Sequence, residues 1–294
     1  MTARSHEHAV SSSEPAGRSF GCDPASDTNM YVDVARSYGL AEEFLASWCE
    51  QRELATGAVT VGSKWGYTYM GEWRLEAEVH EKKDHSVAAL RRQLAESRAL
   101  LGDRLNLYQI HSATPDTGVL ETRAVLDELA RLSSKGVIIG ATVSGPHQPA
   151  TIRRALEVTV DGVNPFQTVQ ATWNLLETSA APALAEAHDA GWGIIVKEAL
   201  ANGKLTSRAA AHDRPTLDEA ARARGATLDQ LALAAALANP WADVVLSGAV
   251  TREQLYSNAR ALEVELTSSD VQELSAAAEP PERYWRARSA LSWS

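Results

Sequence analysis

Short apolar runs alternate with longer amphipathic runs along the chain from residue 31 onward. The apolar runs have the length of buried strands and lie at 31–35, 58–64, 105–111, 137–143, 162–169, 193–197 and 244–248. The longer runs repeat apolar residues with the period of a helix and lie at about 40–51, 86–101, 118–134, 149–158, 179–190, 216–238 and 252–262. Strands that alternate with helices of this length predict βαβ units and a parallel sheet.

Residues typical of helix ends support these boundaries. Gly136 and Gly191 follow predicted helices just before predicted strands, where glycine commonly ends a helix. Ser86 and Thr251 precede predicted helices, and their hydroxyls can accept hydrogen bonds from the first free N–H groups.

The number of strand–helix units predicts the fold. Seven units follow residue 31, whereas a closed (β/α)8 TIM barrel has eight. The remaining unit has to lie in the first 30 residues, where the best strand candidate is GRSFGC at 17–22 and residues 1–16 are predicted to be disordered. We therefore predict an α/β protein with one domain over 17–294, a (β/α)8 TIM barrel whose first βα unit is shortened or irregular. Because an incomplete barrel would expose edge strands, we also consider a homodimer that covers them.

Composition and charge narrow the function. The chain has 294 residues, of which 45% are hydrophobic and 22% charged, as in a folded protein with a substantial core. A formal net charge of −10 argues against nucleic-acid binding, which needs a basic surface. Cys22 and Cys49 are too few for a disulfide framework or a cysteine-rich metal site, so no metal is predicted. We find neither a membrane span nor a secretory signal and expect a cytoplasmic protein.

Four polar residues lie at or just beyond the C-terminal ends of predicted strands: Asp33, Tyr38, Lys64 and His111. In a barrel of parallel strands these ends meet on one face, so the four residues are expected to form one site. A tyrosine hydroxyl has a pKa of about 10, and a nearby ammonium lowers it. Tyr38 could thus protonate a carbonyl oxygen with help from Lys64, while Asp33 holds the lysine and His111 orients the carbonyl.

The segments around these residues resemble the aldo-keto reductase family. DVARSYGLAEEFLASW is similar to the family pattern D-T-A-x-x-Y-G-x-S-E, SKWGY to its catalytic-lysine strand, and LYQIHS to its catalytic-histidine strand. IIGATVSGP, VQATWNLLE and LSGAVTREQLYSN resemble three cofactor segments, and all six matches occur in family order over about residues 31–262. The resemblance implies a TIM barrel that reduces aldehydes or ketones with NADPH, Tyr38 being the general acid.

The resemblance also implies binding residues and a C-terminal tail that folds over the active site. Cofactor contacts would fall on Thr142, Gln170, Leu200, Gly203, Gly248, Thr251, Gln254 and Asn258. Aromatic residues after Lys64 would contact a small carbonyl substrate, and they are Trp65, Tyr67 and Trp73.

The chain departs from the family pattern at two places. Lys197 stands where many members stack a tyrosine on the nicotinamide, so either it turns aside toward Glu198 or another acidic neighbour, or nicotinamide binding is altered. Gly248 and Gln254 replace the Lys and Arg of strongly NADP-preferring members, so NADPH is the expected cofactor and NADH remains an alternative.

Two other functions remain open at this point. The same tetrad could perform non-redox acid/base chemistry, such as an elimination or isomerisation. Alternatively, the protein could bind NADPH as a regulatory subunit without turnover.

Overall fold

The computed structural model describes residues 30–71, 80–207 and 214–291. The strands are β1 (Tyr31–Asp33), β2 (Thr60–Trp65), β3 (Tyr67–Tyr69), β4 (Glu81–Lys83), β5 (Leu105–Ala113), β6 (Ile138–Val143), β7 (Thr168–Thr172), β8 (Gly193–Lys197) and β9 (Val244–Val245). The helices are α1 (Ala41–Gln51), α2 (Val87–Leu101), α3 (Arg123–Ser133), α4 (Gln148–Glu157), α5 (Ala181–Asp189), α6 (Pro215–Ala223), α7 (Leu228–Leu237), α8 (Arg252–Ala259), α9 (Ser268–Leu274) and α10 (Pro281–Ser289).

Seven parallel strands form one sheet in the order β1-β2-β5-β6-β7-β8-β9. The sheet curves into a nearly closed barrel, and helices that join successive strands cover its outer surface. This confirms the predicted α/β barrel. No strand joins β1 to β9 within the described part of the chain. The strand predicted at 17–22 and the disorder predicted for 1–16 lie outside the described residues, and the homodimer stays a prediction.

One predicted helix is in fact two. Apolar periodicity predicts a continuous helix over 216–238, but α6 ends before Gly225 and α7 begins at Leu228. Gly225 has a φ of +65°, which L-residues with a side chain rarely adopt, and it turns the chain out of α6. Thr227 and Gln230 then form a capping box that starts α7. Periodicity does not detect this break because both helices bury apolar faces.

Other differences lie at element ends and in loops. The strand predicted to begin at 162 begins at Thr168, and the last strand is limited to Val244–Val245. The antiparallel β3–β4 pair was not predicted, nor were α9 and α10. The predicted caps are present, since Ser86 Oγ accepts from Ala89 N at 3.1 Å and Thr251 Oγ1 from Gln254 N at 3.2 Å.

The barrel interior combines small residues with polar ones. A Cβ atom at Gly62 would lie 2.1 Å from the Tyr31 hydroxyl oxygen, and one at Gly140 would lie 2.2 Å from Thr168 Oγ1. Both glycines therefore make room for polar side chains from neighbouring strands. The apolar residues that alternate with these face the helices instead, as Tyr108 and Ile110 of β5 do. Among the described residues, no helix is long and apolar enough to cross a membrane.

Candidate active site

The four predicted residues lie together at the C-terminal end of the barrel. Lys64 Nζ is 2.5 Å from Asp33 Oδ2 and donates to the Val34 carbonyl oxygen at 3.0 Å. The same ammonium lies 4.8 Å from the centre of the Tyr38 ring. The Tyr38 and His111 rings meet edge to face, 5.5 Å apart. The structure thus brings an acid, an ammonium, a phenol and an imidazole into one continuous cluster.

Asp33 is the most heavily bonded member of the cluster. Its side chain is 10% exposed, and its second oxygen, Oδ1, accepts from the Tyr31 hydroxyl at 2.8 Å and from Gln170 Nε2 at 3.0 Å. These donors and Lys64 satisfy the acceptor oxygens of a carboxylate that has little contact with water. Tyr31 was not predicted, although it lies two residues before Asp33 in a strand and therefore on the same face. Gln170 was predicted as a cofactor contact, and here it supports Asp33.

A buried carboxylate connects the turn that carries Tyr38 to the rest of the barrel. Glu42, at the start of α1, accepts from Ser63 Oγ and Ser97 Oγ, each at 2.6 Å. It also forms an ion pair with Arg36, which lies two residues before Tyr38. Ser63 precedes Lys64 in β2, so this network fixes the segments that carry Tyr38 and Lys64 relative to each other. Glu42 was not predicted as a site residue, although it matches the final Glu of the D-T-A-x-x-Y-G-x-S-E pattern.

Desolvation shifts the pKa values of the tyrosine and the histidine. Tyr38 as a whole is 47% exposed, but desolvation of its hydroxyl raises the pKa above its ordinary value, while the Lys64 ammonium lowers that pKa and offsets part of the shift. The net shift is upward, opposite to the effect expected of Lys64 alone. Burial also lowers the pKa of His111 well below its ordinary value, and the ammonium groups of Lys64 and Lys197 lower it further. His111 is therefore a neutral imidazole at pH 7, able to donate one hydrogen bond.

The aromatic residues predicted to bind substrate differ in whether they lie at the site. Tyr67 contacts the site, with its ring 4.9 Å from that of His111. Trp65 is completely buried in the hydrophobic core, so its assignment to the substrate pocket was wrong. The error arose because residues of β2 alternate between the interior, where Lys64 points, and the helix-facing side. Trp73 lies outside the described residues.

His85 contacts the backbone of His111. Its Nε2 lies 2.9 Å from the His111 carbonyl oxygen, and its ring meets the Trp65 ring edge to face at 5.6 Å. Burial lowers the pKa of His85 to about 4, whereas an unfolded histidine titrates near 6.5. Between these two values the unfolded chain binds a proton that the folded chain does not.

Acidification from about pH 6.5 to about pH 4 is therefore expected to destabilise the fold through His85, by at most about 3 kcal/mol. In His85→Asn this part of the pH dependence should disappear. Urea denaturation at both ends of the window measures it, with the same substitution at exposed His147 as the control. An unchanged pH slope in His85→Asn would contradict the assignment.

A second charged group occupies the other side of the barrel mouth. Lys197, at the end of β8, donates to Ser144 Oγ at 3.2 Å and lies 3.9 Å from Glu198 Oε1. Arg288 of α10 binds the same Glu198 oxygen through Nη2 at 2.7 Å. Lys197 therefore lies nearer Ser144 than Glu198, and the C-terminal helix reaches the edge of the mouth.

A cleft of about 440 Å³ lies between the loop after β8 and the start of α8. Five of the predicted cofactor residues line it: Leu200, Gly203, Gly248, Gln254 and Asn258. Thr251 caps α8 beside it, whereas Thr142 and Gln170 lie inside the barrel, where Thr142 Oγ1 accepts from Ser112 N at 2.7 Å. The cleft has the volume of a small-ligand pocket, and the N–H groups of the first turn of α8 favour an anion. These residues fit the phosphate and nucleoside portions of a nicotinamide dinucleotide.

Charge around the cleft bears on which dinucleotide binds. Its described lining residues include two carboxylates, Glu198 and Asp229, and neither lysine nor arginine. Gln254 Oε1 accepts from Val250 N at 2.9 Å, which ties this side chain to the loop before α8. Among these lining residues, none supplies a cation for the extra phosphate of NADPH.

Comparison with known proteins agrees with this site. The model of the aldo/keto reductase family matches residues 26–279. No curated protein sequence matches the chain. The holo form of an aldo-keto reductase from Bacillus halodurans is 20% identical with a TM-score of 0.66, over 85% of this chain and 83% of that one. A glycerol dehydrogenase from Gluconobacter oxydans is 21% identical with a TM-score of 0.63, over 85% of this chain and 82% of that one.

Both structural likenesses show a shared barrel, and the family match extends from before β1 to just beyond α9. The chain therefore belongs to the aldo/keto reductase family of carbonyl oxidoreductases.

Proposed function

We propose that this chain reduces an aldehyde or ketone to an alcohol, with NAD(P)H as the hydride donor and the Tyr38 hydroxyl as the proton donor. The observation that supports it most is the cluster of Asp33, Tyr38, Lys64 and His111 in one barrel mouth. The alternative functions use the same residues, but family membership favours the redox reaction.

Each residue of the cluster has a role that follows from its contacts. Asp33 forms an ion pair with Lys64 in a buried position, where an unpaired ammonium would be costly. Lys64 stabilises the tyrosinate that forms when Tyr38 gives up its proton, against the effect of burial. His111 is neutral, and its imidazole donates to the carbonyl oxygen as negative charge develops there.

NADPH is the proposed cofactor, on the basis of family usage, and we infer that selectivity against NADH is weak. The described lining of the cleft offers no cation to the 2′-phosphate, and Arg252 at the start of α8 is the nearby candidate. A carboxylate such as Asp229 would oppose the extra charge of NADPH at low ionic strength.

Binding followed by turnover tests the proposal directly. Titration of the purified protein with NADPH and NADH should change the nicotinamide fluorescence in both cases, with dissociation constants within about tenfold, equivalent to about 1.4 kcal/mol. Addition of a broad panel of aldehydes should then oxidise the cofactor, as followed by absorbance. Absence of cofactor binding would favour the non-redox function. Binding without oxidation of any aldehyde would favour the regulatory function.

A further inference from the structure

A bulge interrupts the pairing of β5 with β6 at the histidine of the site. Between two regularly paired positions, β5 has two residues, His111 and Ser112, where β6 has one, Thr142. A bulge of this kind bends its strand and changes the direction in which a side chain points, and bulges are frequent next to active sites. The imidazole that contacts Tyr38 is therefore carried by an irregular stretch of backbone.

The second residue of the bulge has an unfavourable backbone conformation. Ser112 has a φ of +54°, in the left-handed region that residues with a side chain rarely adopt. Glycine enters this region readily, whereas β-branched residues are the least suited to it. Such a conformation persists only where the surrounding structure enforces it, and it is concentrated at functional sites. The neighbours of Ser112 must therefore hold its peptide in place.

Three side chains hold the two peptides of the bulge. Thr142 Oγ1 accepts a hydrogen bond from Ser112 N at 2.7 Å. Lys83 Nζ donates to the Ser112 carbonyl oxygen at 3.1 Å, and His85 Nε2 lies 2.9 Å from the His111 carbonyl oxygen. Lys83 is exposed and His85 is half-buried, whereas Thr142 is only 1% exposed. Water can replace Thr142 least easily, so this threonine is the principal restraint on Ser112.

The restraint bears on the reaction through the neighbouring imidazole. The His111 ring lies 5.5 Å from the Tyr38 ring and 4.9 Å from the Tyr67 ring, edge to face in both cases. A change in the backbone of the bulge would turn the imidazole relative to both rings. In the proposed reaction the imidazole and the Tyr38 hydroxyl must meet one carbonyl oxygen, so their relative position governs the rate.

We propose that Ser112 and Thr142 are positioning residues: the left-handed peptide of Ser112, held by Thr142, sets the direction in which His111 meets the carbonyl oxygen. The inference rests on the proposed function, because it concerns the geometry of that reaction. Thr142 is also an expected cofactor contact. The two roles are compatible, since Thr142 Oγ1 accepts from Ser112 N with a lone pair and keeps its own hydrogen to donate.

Two substitutions of Ser112 separate the role of its backbone from that of its hydroxyl. Ser112→Gly loses the hydroxyl, which lies 3.3 Å from Ser144 Oγ, but adopts the left-handed conformation readily. Ser112→Thr keeps the hydroxyl, but branching at Cβ opposes that conformation. On an aldehyde that the wild type reduces, kcat should be retained in Ser112→Gly and fall about ten- to hundredfold in Ser112→Thr, because a displacement of about 1 Å can cost about 10²-fold. The reverse order, or wild-type kcat in Ser112→Thr, overturns the proposal.

Substitutions of Thr142 test the restraint itself. Thr142→Val keeps the shape and the branching but lacks the acceptor, so it should fold even if Ser112→Thr does not. At saturating NADPH its kcat should fall about ten- to hundredfold, and Thr142→Ser should restore it. Thr151→Val is the matched control, since it removes a buried hydroxyl of α4 that donates to the His147 carbonyl oxygen at 3.2 Å, and kcat should not change. Wild-type kcat in Thr142→Val at saturating NADPH would show that Thr142 serves only the cofactor, and the proposal would be overturned.

The NMR signals of the His111 ring give a readout that needs no turnover. Nearby aromatic rings shift such signals according to distance and angle, and two tyrosine rings contact this imidazole. The signals are assigned by their loss in His111→Gln. They should move in Ser112→Thr and Thr142→Val and stay in place in Ser112→Gly, Thr142→Ser and Thr151→Val.

These signals also separate the positioning role from the reaction. Unchanged His111 signals in both Ser112→Thr and Thr142→Val overturn the proposal, whatever the activity. Shifted signals in an enzyme that reduces no aldehyde would support the positioning of His111 and refute the proposed reaction.

Discussion

Tyr38→Phe is expected to bind NADPH as tightly as the wild type and to reduce carbonyl substrates about 10²- to 10⁴-fold more slowly. The substitution removes a single oxygen atom, the one that delivers the proton. The ring remains, with its edge-to-face contact to His111 at 5.5 Å and its position beside the Lys64 ammonium. The site should therefore keep its shape and lose its acid.

Nicotinamide fluorescence measures binding in this variant, and single-turnover absorbance measures the chemical step. Tyr256→Phe is the matched control, because Tyr256 lies on α8 and is 65% exposed. Full turnover in Tyr38→Phe on a substrate that the wild type reduces would refute the role of Tyr38. Loss of NADPH binding would show instead that the hydroxyl matters for holding the cofactor.

Lys64→Met is expected to lower both stability and turnover, for two separable reasons. Lys64 is 1% exposed, and its removal leaves the Asp33 carboxylate buried without its ion-pair partner. Breaking such a pair by removing one partner costs about 3–5 kcal/mol of unfolding free energy. Turnover should fall by at least about 10²-fold, since the tyrosinate loses the ammonium that opposes the effect of burial on the Tyr38 pKa.

The double variant Asp33→Asn with Lys64→Met separates the two effects. The amide oxygen introduced by Asp33→Asn can still accept from Tyr31 and Gln170, so most of the lost stability should return in urea denaturation. Turnover should not return, because the ammonium is still missing. A double variant as unstable as Lys64→Met would show that the ion pair is not the source of the loss, and restored turnover would show that Lys64 is dispensable.

Much of the site could be read from sequence because strand ends of a parallel barrel meet on one face. The positions of Asp33, Lys64 and His111 at the ends of apolar runs were sufficient to place them together, and the turn after β1 placed Tyr38. Helix breaks were harder to detect. The turn at Gly225 divides a helical pattern into α6 and α7 without interrupting its apolar periodicity.

The residues that support the site could not be predicted from sequence patterns, because their hydrogen-bond partners are distant in sequence. Glu42 joins Ser63 and Ser97, and Gln170 reaches Asp33 across 137 positions of the chain. Trp65 was misassigned for a related reason, since its direction depends on which face of β2 turns inward. Such contacts arise only when the strands curve into a barrel.

The sequence by itself determined the fold class and the order of the strand–helix units, which follow from the period of apolar residues and the length of each run. The four residues of the proposed reaction centre came from the polar residues at strand ends together with the resemblance to the family. Only the tertiary structure shows how the pKa values of the site residues shift and how the charges at the barrel mouth balance. Desolvation and neighbouring ammonium groups shift the pKa values of Tyr38 and His111, and the sharing of Glu198 between Lys197 and Arg288 leaves a positive charge that the linear sequence does not reveal.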